Sequence, residues 1–180
     1  LMGVRIAERV QIILVLFLIL ILSFYIIGGA TEIELVNYSG FLKKGLKNIV
    51  ATAGFVFVSF AGLTKVASVA EEVKNPTKNI PLGMLTAWGV VLILYALSIF
   101  ITVGLLDGIR LAKSYTPLCD GAKVFGNEAG LLVLAIGGIL AFITTANAGI
   151  MSASRGPYMM SRDGFLPSSF QKLNKNGVPY

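Results

Sequence analysis

In a chain of 180 residues, 56% hydrophobic and only 13% charged residues with a mean hydropathy of +0.82 exclude an ordinary water-soluble domain. Fifteen Lys and Arg against nine Asp and Glu leave a formal charge of +6, but the basic residues sit between long apolar runs, which points to a bilayer with anionic headgroups and not to nucleic acid. With no His and one Cys, Cys119, the chain cannot build a His or multi-Cys metal site, a Ser-His-Asp or Cys-His pair, or an internal disulfide.

Four apolar windows follow in order, 10–30, 48–70, 82–106 and 130–154, of 21, 23, 25 and 25 residues. At about 1.5 Å per residue each reaches the roughly 30 Å of a hydrocarbon core, so the pattern predicts an all-α, polytopic membrane protein with four transmembrane helices. The first window has Gln11 and Ser23 as its strongly polar residues and is otherwise oily all round, as expected of a helix facing lipid.

The second window, 48–70, is expected to break near Gly62, where Gly54, Ser59, Ala61 and Ala67 also weaken the helix. Backbone unwound in mid-membrane is tolerated where it lines a cavity or binds a ligand, which makes the stretch around Phe60, Ala61 and Gly62 a candidate site. The alternative use of Gly62 is close approach of a neighbouring helix, and Phe60 is then either a gate or core. Lys65 is the charged residue inside these windows; it either snorkels toward Glu71 and Glu72 or serves substrate or coupling. Glu71 and Glu72 do not make an acid/base pair, because adjacent helical residues project about 100° apart. Lys74 and Lys78 also screen them at an aqueous boundary.

Asn75 before Pro76 ends the second helix, and Pro81 is placed to begin the third. In the segment 107–130, Leu118, Ala122 and Phe125 recur at helical spacing and predict a short amphipathic helix on the membrane surface. In the last window Gly137, Ala141, Thr145, Gly149 and Ala153 form a stripe of small residues at four-residue spacing, suited to tight helix contact. Thr144, Asn147 and Ser154 run beside it as a polar line, able either to coordinate a cation or to bond a neighbouring helix. The polar, basic stretch from 154 onward, with a turn signal at Asp163 and Gly164, reads as a cytoplasmic connector, and the chain as a piece of something longer.

Counting Lys and Arg outside the windows gives eight on the side of the termini and six on the other, which favours cytoplasmic termini. The plasma membrane is the expected location.

Three motifs in order, AEEVKNPTKNIP, TPLCDGAKVFG and ANAGIMSASRGPYMMSRDGFLP, resemble the amino acid-polyamine-organocation permeases, and GVRIAERV is similar to the lead-in to that family's fifth helix. The resemblance covers nearly the whole chain and places it at helices five to eight of about twelve, in a fold of two inverted five-helix repeats. It implies that substrate is held at a broken sixth helix, here Ser59, Phe60, Ala61, Gly62 and Thr64. Coupling or gating contacts are expected from Lys65, Thr144, Thr145 and Asn147. It also implies the remaining helices as partners, an amino acid or amine as substrate, a proton or sodium ion as coupling ion, and no cofactor. Some members carry a lysine in helix five at the sodium position; here Leu18 or a neighbour stands there, with no basic residue between Val10 and Ala30.

The reading is therefore part of a secondary active transporter, not an enzyme. A channel or membrane sensor on the same fold is the alternative.

Overall fold

The computed structural model describes residues 4–39, 45–60, 62 and 73–171, and among these every regular element is helical. Helix α1 spans Val4–Gly29, α2 Gly45–Ser59, α3 Pro76–Leu105, α4 Gly108–Lys113 and α5 Pro117–Arg162, with short 3-10 turns at Leu35–Tyr38 and Ser168–Gln171. Three of them, α1, α3 and α5, are long and apolar enough to cross a membrane, whereas α2 is apolar but shorter.

Helix α3 starts at Pro76, earlier than the expected Pro81. Asn75 takes a left-handed conformation (φ 50°, ψ 60°) and Pro76 occupies the first helical position, where a missing N–H costs nothing. Pro81 then lies inside the helix. Helix α4 is nucleated by Asp107, whose side chain accepts from the amides of Ile109 and Arg110.

Helix α5 is interrupted at Asn127, which adopts φ 50°, ψ −144°. The corner is tight: a Cβ at Gly130 would sit 2.5 Å from the carbonyl oxygen of Ala122. The segment before this corner, expected as an amphipathic helix, packs its apolar side against α1. Ala122 is fully buried, and Phe125 stacks at a tilt against Phe24 and Tyr25, with ring centroids 5.7 and 6.0 Å apart. Its apolar stripe is used for protein packing because glycines make room for it on α1; a Cβ at Gly28 would run into the Phe125 ring.

The chain divides into two compact units, Ile21–Ala135, and Leu1–Leu20 with Ile136–Tyr180. The core of the first unit joins Tyr25, Ile101, Leu105, Leu106, Ala122 and Leu134. Within it Tyr25 is 0% exposed and its hydroxyl donates to Thr102 Oγ1 at 2.7 Å, while Thr102 donates onward to the Ser98 carbonyl at 2.7 Å. The loop after α1 caps the end of α3. Glu34 N and Asn37 Nδ2 donate to the Gly104 carbonyl at 3.1 and 2.8 Å, and Tyr38 Oη donates to the Phe100 carbonyl at 2.8 Å. Burial pushes the Tyr38 phenol above its ordinary pKa of 10.0.

Candidate functional site

The site expected around the second apolar window is built at the end of α2. Ser59 is its last helical residue and is exposed, and Phe60 follows in a turn whose amide donates to the Phe57 carbonyl at 3.0 Å. That contact is the tightened, three-residue kind that closes a helix. A helix end of this kind carries the negative end of the helix dipole.

Phe60 is half-buried against Tyr95 of α3, ring centroids 6.3 Å apart and tilted by 57°. An edge-on aromatic pair of this kind holds two rings in a fixed mutual orientation. Tyr95 was no part of the sequence expectation, because a tyrosine in an apolar helix gives no sign of which ring it meets. Gly62 is exposed, and a Cβ there would meet nothing within 4 Å, so among the described residues no helix uses it for close approach. Ala61, Thr64 and Lys65, together with Glu71 and Glu72, lie outside the described residues.

The polar line of the last window belongs to the other unit. There Thr144 is 6% exposed, and its hydroxyl donates back to the Ala141 carbonyl at 2.8 Å, a bond internal to the helix. Asn147 Nδ2 donates to Gln11 Oε1 of α1 at 3.0 Å, and Gln11 Nε2 donates to the Thr144 carbonyl at 3.4 Å. Gln11, a polar exception in the helix expected to face lipid, is thus turned toward α5. An amide in hydrocarbon without partners is costly, so α1 presents it to the helix that carries complementary groups. The structure brings Thr144 and Asn147 together with Gln11; Thr145 is exposed and not among them. The small-residue stripe has no close partner at Gly149, where a Cβ would meet nothing within 4 Å.

Among the described residues no three His, Cys, Asp or Glu side chains gather. What the two places offer is different. The end of α2 presents the exposed Ser59 and the Phe60 ring against Tyr95. The Gln11 contacts fix one helix against another.

Comparison with known proteins gives this geometry its setting. The sequence pattern of the family described as "Amino acid permease" matches residues 1–180. The chain is 31% identical over 172 residues to the methylthioribose transporter of Bacillus subtilis (strain 168), covering 96% of the chain and 37% of that protein. It is 29% identical over 180 residues to the branched-chain amino acid permease BcaP of the same organism, covering 99% and 39%. It is 32% identical over 178 residues to the vacuolar cationic amino acid transporter 4 of Arabidopsis thaliana, covering 96% and 30%. The chain therefore spans between 30% and 39% of the length of these relatives, whose names are those of transporters and not of enzymes. With all of residues 1–180 matched, and three helices long and apolar enough to cross a membrane, the chain belongs to the amino acid permease family and is an integral, multi-pass membrane protein.

Proposed function

We propose that the protein is a secondary active transporter that carries amino acids or related amines by alternating access, with substrate held where α2 stops. The observation that carries this reading is that α2 gives way to a turn at Phe60, whose amide bonds the Phe57 carbonyl, while the apolar sequence continues. A helix that ends inside an apolar run leaves carbonyls which only a polar ligand, water or protein can satisfy.

The ammonium group of an amino acid is the complement of a helix C-terminus, where the dipole and the free carbonyls both favour a cation. Ser59 and the backbone at Ala61, Gly62 and Thr64 are the groups assigned to substrate, and Phe60, held by Tyr95, is the apolar wall or gate over it. Lys65 is assigned to coupling, since a charge at that depth needs a partner whose presence changes with the transport step. Thr144, Thr145 and Asn147 serve gating, the first and third by tying α5 to α1 through Gln11. The coupling ion is a proton or sodium. The names of the relatives support an amino acid or a related solute as cargo, and the remaining helices of the family fold supply the rest of the pocket. The eight-to-six split of Lys and Arg supports cytoplasmic termini in a plasma membrane.

The test is uptake of a labelled amino-acid mixture by the full-length protein in proteoliposomes, with and without imposed proton and sodium gradients. Accumulation above the outside concentration, lost in Lys65→Met at normal expression, supports the assignment. Downhill flux that ignores every gradient sinks it in favour of a channel.

A further inference from the structure

Where α3 leaves its apolar run, Leu106, α4 and the first turns of α5 enclose an open groove of about 660 Å3. Its lining mixes the apolar side chains of Leu106 and Val124 with three cations, Arg110, Lys113 and Lys123, and one carboxylate, Asp120. Arg110 and Lys113 are three residues apart on α4 and share a face.

These cations are available. Asp107 is occupied as the cap of α4, its Oδ1 accepting from Ile109 N and Arg110 N at 2.9 and 2.7 Å. Its other oxygen meets Nε of Arg110 at 3.5 Å, and at 74% and 53% exposure that pair exchanges readily with other ions. Lys113 makes no ion pair among the described residues. Lys123 pairs with Glu128, but at 52% and 71% exposure that contact exchanges readily with other ions. Asp120 accepts from the Ser114 hydroxyl, which spreads its charge.

We infer that this groove binds the phosphate headgroup of an anionic phospholipid. Two parallel guanidinium N–H groups match two phosphate oxygens, and a neighbouring ammonium adds a point charge. The source is a lipid because of where the groove lies. It opens at the residue where α3 stops being apolar, which is headgroup depth, and exposed Ile99 and Phe100 on α3 lie just before it in the chain to meet acyl chains. The inference rests on the membrane placement of the chain and not on which solute it carries, so it stands or falls apart from the transport reading.

The full-length protein in neutral detergent is titrated with dioctanoyl-phosphatidylglycerol, dioctanoyl-phosphatidylcholine and inorganic phosphate, and adducts are counted by native mass spectrometry. R110Q/K113Q is compared with K74Q, whose charge lies away from the groove lining. Arg110 and Lys113 are exposed and the Asp107 cap is untouched, so the double variant keeps its fold. Phosphatidylglycerol should bind the unmodified protein and K74Q alike, and R110Q/K113Q about thirty-fold more weakly, from about five-fold per basic charge near an anionic lipid surface. Undiminished binding by R110Q/K113Q, an equal loss in K74Q, or phosphatidylcholine binding as tightly as phosphatidylglycerol would each overturn the site. Inorganic phosphate competing at the same concentration as the lipid would overturn the lipid as its source.

Discussion

Replacing Tyr25 by Phe removes one hydroxyl from the centre of the Ile21–Ala135 unit and leaves the ring against Phe125, 6.0 Å away by centroid. The lost group is the donor to Thr102 at 2.7 Å. Hydrogen bonds between membrane helices contribute about 0.6 kcal/mol on average and up to about 1.7 kcal/mol, and this one is expected near the upper end because both partners are buried. Thr102→Val is the harsher single change, since it keeps the shape but strands a phenolic hydroxyl in a dry site, at about 1–3 kcal/mol. In the double variant both polar groups are gone, so its cost should fall below the sum of the two by about 1 kcal/mol or more. Reversible unfolding of the full-length protein in mixed micelles, with SDS as denaturant, reads each corner of the cycle. Strict additivity, within about 0.3 kcal/mol, would refute the claim that the hydroxyls act on each other.

Gly28→Ala should destabilise by about 1–3 kcal/mol, because the new methyl meets Phe125 Cδ2 at 2.7 Å and Cζ at 3.1 Å while that ring is held between Phe24 and Tyr25. Phe125→Leu in the same background should recover part of the loss in the same unfolding assay. Gln11→Leu removes both contacts to α5 and is expected to cost about 1 kcal/mol, with Gln11→Glu no better at neutral pH, since a carboxylate cannot donate to the Thr144 carbonyl. Asp107→Ala should weaken α4 by about 0.5–2 kcal/mol, seen as faster hydrogen exchange at the Arg110 amide, and Asp107→Asn should retain most of the protection. Tyr38 is stabilising as the neutral phenol. Its folded pKa is raised, so its contribution is full below pH 10.0 and is lost as pH climbs through the raised value; Tyr38→Phe should lose that part of the alkaline dependence.

The helices were legible because the bilayer asks for length and oil, and both are properties of a window and not of a partner. Pro76 and Pro81 show where this stops. Each is compatible with a helix start, and only the left-handed turn at Asn75 decides for the first. Pairings were beyond reach for a physical reason. Gln11 is visible as a polar residue in an oily helix, and that anomaly was the available signal, but its acceptor and its donor lie 133 and 136 residues away in the chain. Thr144 and Asn147 read as polar positions with two possible uses; in the structure the Asn147 side chain bonds Gln11 of α1, whereas the Thr144 hydroxyl bonds within its own helix. Phe60 was named without Tyr95, since rings 35 residues apart carry no spacing that marks them as a pair. The groove cations were counted for orientation only, because their convergence depends on the short α4 turning back toward α5.

The break at Asn127 also separates two phases. In an unbroken helix each inserted residue rotates everything beyond it by about 100°, so the faces at either end are bound to one another. Here Ala122 and Phe125 on one side answer to the glycines and tyrosine of α1, and Thr144 and Asn147 on the other meet Gln11. An insertion between 117 and 126 would turn the first set out of its seat and leave the second where it is. The corner lets the two segments of α5 take their phases independently, which is why its first turns read in the sequence as a helix of their own.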